Sequence, residues 1–102
     1  MKEGKKILRD AWNSHDGPIV LATSDETGVP NAIYATFARL LADGRIVVAD
    51  NYFQKTRANI IGGSKGSVLF LTKEQRSYQA KGSIEYLTDG PIYEDMRQWV
   101  DP

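Results

Sequence analysis

Apolar side chains near the start of the chain recur at intervals of one, three and four residues. They are Ile7, Leu8, Ala11 and Trp12, with Lys, Arg and Asp between them. This spacing predicts an amphipathic helix that ends near residues 13–14, since the next four residues, His-Asp-Gly-Pro, break a helix. The run Ile19–Thr23 that follows is mostly apolar and β-branched, which predicts a buried strand.

The segment Val29–Leu41 lies between two turns, at 25–28 and 42–44, and each turn ends in glycine. By propensity alone its alanines and leucines would allow a helix. Its β-branched and aromatic side chains favour a strand, and Pro30 is tolerated at the beginning of one. We therefore predict a strand here, which an Asp-Gly turn joins to a second strand over Arg45–Ala49 in a hairpin.

The second half of the chain continues the alternation of helices and strands. We predict a helix over Lys55–Ile61, strands over Val68–Leu71 and Ser77–Thr88, and a last helix with Ile92, Met96, Trp99 and Val100 on its apolar face. Gly62 and Gly63 are typical of a helix end, and Pro91 favours the first position of the last helix. Gly82 inside a strand indicates a bulge or a close backbone approach.

This order of elements predicts the class of fold. Because tight turns join most of the strands, the sheet should be mainly antiparallel, with two or three helices beside it. Five or six strands with this many bends favour closure into a small barrel over an open sheet. The chain has 102 residues without an internal repeat or linker, so we predict one domain over residues 1–102.

Charge and composition narrow the functions open to this chain. The 13 basic and 13 acidic residues balance, which argues against general nucleic-acid binding. Cysteine is absent, which excludes disulfides, thiolate nucleophiles and cysteine zinc sites. With neither a secretory signal nor a membrane-length apolar stretch, a cytoplasmic protein is expected. His15 is the only histidine and is expected to be a solvated turn residue, so we nominate no catalytic residue and no metal site.

The residues after the strand Arg45–Ala49 carry the most informative chemistry. A loop leads into a helix whose first turn contains Lys55 and Thr56. Because a helix N-terminus presents unpaired N–H groups and a partial positive charge, an ammonium and a hydroxyl there predict a phosphate site that Arg57 could reinforce. Asp50 is an objection, since a carboxylate repels phosphate unless it points away. The alternative is that Lys55 and Arg57 are ordinary surface charges.

Four stretches of the chain, in this order and spacing, carry a resemblance to a known family. They are Gly17–Thr23 with Asp25–Pro30, Arg45–Ala49 with Lys55–Asn59, Lys81–Ser83, and Thr88–Pro91. From about Leu8 to Val100 the chain resembles the FMN-binding split β-barrel superfamily, the pyridoxamine-phosphate-oxidase-like proteins, and most closely their small FMN-binding members from anaerobic bacteria. The resemblance implies a small antiparallel split β-barrel of Greek-key type.

The resemblance also implies a function and a site. It implies a homodimer with two FMN sites at the subunit interface, acting in electron transfer or as a small flavin oxidoreductase with a redox partner that the sequence does not name. Lys55 and Thr56 would hold the phosphate. The residues that would line the flavin edge are Tyr34, Ala35, Thr36, Val48, Ala49, Asp50 and Asn51. The basic substrate-binding residues of true pyridoxamine-phosphate oxidases are not recognisable, so that activity is not expected.

The chain departs from the family pattern at its end. In the family a final strand usually follows the last helix and completes the barrel, whereas this sequence stops at residues 99–102, so the chain is either naturally short or truncated. Two other hypotheses stay open: a barrel that binds heme or a deazaflavin, for which His15 is the only histidine that could ligate iron, and a cofactor-free structural dimer.

Aromatic content gives a separate reason to expect a dimer. Aromatic residues make up 10% of the chain, and a small barrel interior has limited room for them. We therefore expect some of them at the surface, where exposed aromatic patches mark interfaces. The candidates are Tyr34, Phe37, Tyr52, Phe53, Tyr78 and Trp99.

Overall fold

A computed structural model describes residues 2–50 and 53–100, with side chains from residue 6 onward. The elements in chain order are α1 (Lys2–Asn13), β1 (Ile19–Ser24), β2 (Pro30–Ala35), β3 (Ala38–Leu40), β4 (Ile46–Val48), α2 (Gln54–Ile61), β5 (Gly66–Leu71), β6 (Ser77–Gly82) and α3 (Pro91–Val100). Across these residues, no helix has the length and apolar character needed to cross a membrane.

The strands form two antiparallel sheets. The larger sheet has the strand order β2-β1-β5-β6, and the smaller one pairs β3 with β4. Along β1, Ile19 and Leu21 are buried while Val20 and Ala22 are half-buried on the outer face, as the alternation of side chains in a strand requires. The predicted class, a mainly antiparallel split β fold with three helices, is confirmed.

The core gathers buried side chains from α1, β1, β2 and β5, with half-buried ones from β3 and β4 against them. From α1 come Ala11 and Trp12, and the Trp12 ring packs edge-on against Phe70 with 5.2 Å between ring centres. The His15 ring lies 4.6 Å from that of Trp12, and its Nδ1 lies 2.6 Å from the Trp12 carbonyl oxygen. His15 is therefore a half-buried packing residue at the end of α1, and the expectation of a solvated turn residue is wrong.

The predicted strand over Val29–Leu41 is extended as expected, but it consists of two strands. β2 ends at Ala35 in the larger sheet, and β3 begins at Ala38 in the smaller one. Between them the Phe37 carbonyl accepts a hydrogen bond of 2.9 Å from the N–H of Ala49. The chain changes sheets here, and a strand that passes between two packed sheets has to bend.

The predicted strand over Ser77–Thr88 ends early, at Gly82. Its partner β5 begins at Gly66, which lies opposite Gly82, so the ladder with β5 stops at this pair. Residues 83–88, which we call the connecting segment, then lead to α3. The Ile84 side chain packs over Gly66, where a Cβ atom would collide with it.

The sequence correctly predicted where α2 ends and where α3 begins. The N–H groups of Gly62 and Gly63 donate to the carbonyls of Ala58 and Ile60, each at 3.0 Å, and close the end of α2. Gly63 has a φ of +96°, a conformation that favours glycine. Pro91 begins α3, as predicted.

Candidate functional site

Hydrogen bonds link the three segments predicted to hold a cofactor, and we call the region that they form the corner. They are residues 34–36 at the end of β2, residues 48–50 at the end of β4, and residues 55–56 in α2. The hydrogen bond from Ala49 to Phe37 joins the first two segments. The Asp50 carboxylate accepts a 2.9 Å hydrogen bond from the N–H of Phe53, which joins the second segment to α2. Asn51 lies outside the described residues.

The start of α2 is open to an anion. Phe53 occupies the N-cap position, no side chain of the described residues caps the helix, and the first turn of α2 contains no acidic residue. The first bond of the helix runs from the N–H of Arg57 to the Phe53 carbonyl, at 3.2 Å. The N–H groups of residues 54–56 therefore have no carbonyl partner within α2 and carry its partial positive charge. Such an end is a ready site for a phosphate.

Two hydrogen bonds, one part-buried and one buried, attach α2 to the larger sheet. Thr56 is only 1% exposed, and its hydroxyl oxygen accepts a 2.9 Å bond from Nδ2 of Asn31 in β2. One turn later, Nδ2 of Asn59 donates to the Thr23 hydroxyl in β1 at 3.0 Å. The Thr56 side chain thus has a structural partner, while its backbone N–H belongs to the open first turn.

Lys55 is exposed and borders a polar cavity of about 650 Å³ between α2 and the β1–β2 turn. Asp25, Glu26 and Lys65 also line this cavity. The Thr27 hydroxyl donates to Asp25 at 2.7 Å; this bond, with two backbone N–H donors and the nearby Lys55 ammonium, lowers the pKa of Asp25. In the described part of the chain, no three His, Cys, Asp or Glu side chains are grouped to hold a metal ion.

Asp50, Arg57 and Tyr86 form a charged cluster beside the start of α2. One Asp50 oxygen, Oδ2, accepts hydrogen bonds from Nε of Arg57, at 2.7 Å, and from the Tyr86 hydroxyl. Burial opposes the ionisation of Asp50, but the bonds from Arg57, Tyr86 and the N–H of Phe53 lower its pKa below the usual value. Donation to Asp50 raises the pKa of Tyr86. Asp50 is therefore a stable carboxylate with its charge directed at Arg57.

A larger cleft of about 750 Å³ lies between β4, β6, the connecting segment and α3. Much of its wall is apolar, with Leu21, Val48, Ile84 and Met96 among the lining residues. The Asp50–Arg57–Tyr86 cluster borders it as well. None of the residues of α3 is fully buried, and Ile92 and Met96 of its apolar face line this cleft.

The predicted site residues differ in how exposed their side chains are. The exposed ones are Tyr34, Thr36 and Lys55; the half-buried ones are Val48 and Asp50; the buried ones are Ala35, Ala49 and Thr56. Tyr34 is on the outer face of the larger sheet, and its neighbour Ala35 is on the inner face. Arg57, predicted to reinforce the phosphate site, is instead bonded to Asp50.

Sequence analysis missed three side chains that organise this corner. Asn31 and Asn59 are amides at inward positions, and buried amides need hydrogen-bond partners. An amide at the inner register of a strand was therefore a usable signal for Asn31. Tyr86 gave no signal, because the connecting segment has no regular pattern and Asp50 is distant in sequence.

The fold and this corner define a small split β-barrel protein whose second helix has no side-chain cap among the described residues. The model of the pyridoxamine 5'-phosphate oxidase family matches residues 8–101 of the chain. The chain therefore belongs to the pyridoxamine 5'-phosphate oxidase-like family, and the resemblance drawn from its motifs is confirmed.

Individual proteins of this type are similar to the chain over most of its length. An uncharacterized protein of Methanocaldococcus jannaschii is 31% identical in an alignment of 88 residues, and the match covers 83% of this chain and 59% of that protein. Tagged HupZ of group A Streptococcus superposes with a TM-score of 0.79 and 28% identity, covering 93% of this chain and 75% of its own. A histidine-to-alanine variant of HupZ superposes with a TM-score of 0.79 and 27% identity, covering 93% of this chain and 80% of its own.

Proposed function

We propose that this protein is an FMN-binding flavoprotein that acts in electron transfer or as a small flavin oxidoreductase. FMN would supply the electron-transfer chemistry, and the protein would supply binding, orientation and electrostatics. The phosphate would be held by the Lys55 ammonium and by the backbone N–H groups of the first turn of α2, including that of Thr56. Residues 34–36 and 48–51 would line the flavin.

The observation that carries this proposal is the start of α2, which no side chain of residues 6–50 or 53–100 caps and which lies beside an exposed lysine. A phosphate dianion needs several hydrogen-bond donors and positive charge, and both are present at this end of the helix. The ionised group of Asp50 is directed at Arg57, which removes the repulsion that a free carboxylate would exert. The residues present therefore fit a phosphate-bearing cofactor.

The test compares FMN with riboflavin, which has the same ring but no phosphate. A charge-assisted hydrogen bond contributes about 1.5–3 kcal/mol, so Lys55→Ala should weaken FMN roughly 10- to 150-fold. Riboflavin should be affected far less. The matched control is Lys73→Ala, which removes an exposed lysine from the β5–β6 turn and should leave both affinities unchanged. Equal losses of FMN and riboflavin in Lys55→Ala would show that Lys55 does not hold the phosphate.

The outer face of the larger sheet supports the second part of the proposal, a homodimer with cofactor at the subunit interface. Val20 in β1 lies between Tyr34 in β2 and Leu69 in β5. Tyr34 is 76% exposed and Leu69 41% exposed, so an apolar row crosses this face. Exposed rows of this kind mark interfaces, and two-fold dimers are the commonest assembly. Phe37 is also exposed, Phe53 is buried, and Tyr52 lies outside the described residues.

A charge placed in that row tests the dimer. Leu69→Lys should dissociate the dimer at concentrations where the unmodified protein stays dimeric, since a buried lysine without a partner is costly. Ile61→Lys, at an apolar residue that is 70% exposed at the end of α2, is the control. Sedimentation over a dilution series, with flavin fluorescence followed in parallel, should show flavin release as the dimer dissociates. A monomer that keeps its FMN at full occupancy would contradict the interface site.

The other hypotheses differ in colour. Heme would give a red protein with a Soret band, a deazaflavin or FMN a fluorescent one, and a cofactor-free dimer a colourless one. The packing of His15 against Trp12 and Phe70 places its ring in the core region, so the heme hypothesis gains no support from this residue. The cytoplasmic location and the single domain over residues 1–102 stay predictions.

A further inference from the structure

Tyr86, in the connecting segment, is hydrogen-bonded to Asp50, which lies three residues before the N-cap residue of α2. Its hydroxyl donates to Oδ2 of Asp50, and Nε of Arg57 donates to the same oxygen at 2.7 Å. The other carboxylate oxygen, Oδ1, accepts the N–H of Phe53 at 2.9 Å. Asp50 therefore links the connecting segment to the residue that immediately precedes α2.

The orientation of the Asp50 carboxylate determines whether it can accept the N–H of Phe53, the residue just before α2. Oδ1 reaches the Phe53 N–H only while Oδ2 faces the opposite way, toward its two other donors. The Arg57 bond ties α2 directly to Asp50, whereas the Tyr86 bond ties the same carboxylate to a different part of the fold, the connecting segment. Tyr86 lies outside α2, in a segment that is also anchored where Ile84 packs over Gly66.

We propose that Tyr86 is a positioning residue for the phosphate site. Through Asp50 it holds Phe53, the N-cap residue that we call the entrance of α2, in place. The N–H groups of the first turn then keep the geometry that binds the cofactor phosphate. This inference rests on the proposed function. The Arg57 guanidinium lies 5.9 Å from the centre of the Tyr86 ring, so the ring contributes a second contact that does not depend on the hydroxyl. Tyr86→Phe would keep the ring and remove only the hydrogen bond.

The experiment measures two properties of Tyr86→Phe. The first is amide hydrogen exchange at Phe53, followed by NMR without cofactor. A net hydrogen bond of ordinary strength corresponds to a factor of roughly 2 to 12, and we expect exchange at Phe53 to accelerate by about that much. The second is the affinity for FMN and for riboflavin; FMN should weaken by a similar factor and riboflavin by much less. Tyr93→Phe, which removes a hydroxyl from the same cleft, is the control.

A double-mutant cycle separates positioning from general destabilisation. In an Asp50→Ala background, Tyr86→Phe should have no further effect on Phe53 exchange or on the FMN-to-riboflavin ratio. Unchanged exchange in Tyr86→Phe, or an equal loss of both flavins, overturns the proposal. If the unmodified protein binds no FMN, the proposed function fails and the phosphate role of Tyr86 fails with it. In that case the exchange at Phe53 still decides whether Tyr86 holds the entrance of α2.

Discussion

Replacing Thr56 with Val tests whether the hydroxyl of a predicted phosphate ligand serves to hold α2 against the sheet. The substitution keeps the shape of the side chain and removes the oxygen that accepts the bond from Asn31. A buried donor left without its partner costs about 1–3 kcal/mol. Because Asn31 is half-buried and can regain water in part, we expect about 1–2 kcal/mol. In a domain of this size that lowers Tm by roughly 4–16 °C.

Urea and thermal unfolding, both followed by circular dichroism, give the stability, and flavin titrations give the function. Thr56→Ser is the matched control, because it keeps the acceptor and loses one methyl group, which costs about 0.8 kcal/mol. We expect Thr56→Val to weaken FMN and riboflavin by similar, small factors, since the backbone N–H of residue 56 remains. A Val variant with unchanged stability but a selective loss of FMN would refute this assignment and show that the hydroxyl itself binds phosphate.

Three further substitutions test the contacts around the site. Thr23→Val should cost about 1–3 kcal/mol in urea unfolding, because it removes the partner of the buried Asn59 amide, and Asn59→Leu added to it should restore part of that loss. Gly66→Val should cost about 1–3 kcal/mol and accelerate hydrogen exchange in the connecting segment, since a side chain there displaces Ile84; unchanged exchange would contradict that packing. The pKa of Asp50 is lowered by folding, so the ionised carboxylate stabilises the fold above about pH 4, and this stabilisation is lost as the pH falls further. Asp50→Asn should therefore have a smaller free energy of unfolding at pH 7 and lose less of it on acidification. Parallel curves of unfolding free energy against pH for the two proteins would refute this.

Elements whose signals lie within a few residues of one another were predicted from the sequence. The periodicity of α1, the Gly62-Gly63 end of α2 and the Pro91 start of α3 depend on local geometry: side-chain spacing, the freedom of glycine and the fixed φ of proline. The same holds for the open start of α2, since a first turn with Lys55 and no acidic residue is visible in the sequence.

Strand limits depended on partners that the sequence does not place next to them. The strand predicted over Ser77–Thr88 has suitable residues to its end, yet β6 stops at Gly82 because β5 offers no further partner. The bend at residues 36–37 likewise follows from the change of sheet between Ala35 and Ala38 rather than from any breaker there. Residue propensity therefore predicts the length of a strand only where a neighbouring strand is present to pair with it.

The hydrogen-bond partners of the site residues could not be predicted from the local sequence for the same reason. The sequence predicted that Thr56 would hold a phosphate, but its side chain is only 1% exposed and accepts a hydrogen bond from Asn31, 25 positions earlier. Arg57 looked available to an anion, but Asp50, seven positions earlier, pairs with it. Only the fold brings these groups within hydrogen-bond distance, so residue types predicted the chemistry of the corner while the assignment of partners required the structure.

The charge balance at the start of α2 follows from this assignment of partners. Asp50 was an objection to a phosphate site, because an unpaired carboxylate beside the helix N-terminus would compete with any anion for its positive end. In the structure that carboxylate has a side chain only 15% exposed, a guanidinium at 2.7 Å and two further donors, so its field is largely cancelled where it originates. The Lys55 ammonium has the Asp25 carboxylate nearby, so the positive charge at the very start of α2 comes mainly from the N–H groups of the helix. If the proposed function holds, we expect a variant in which Asp50 is no longer paired with Arg57 to bind FMN more weakly, because the unpaired carboxylate would repel the phosphate.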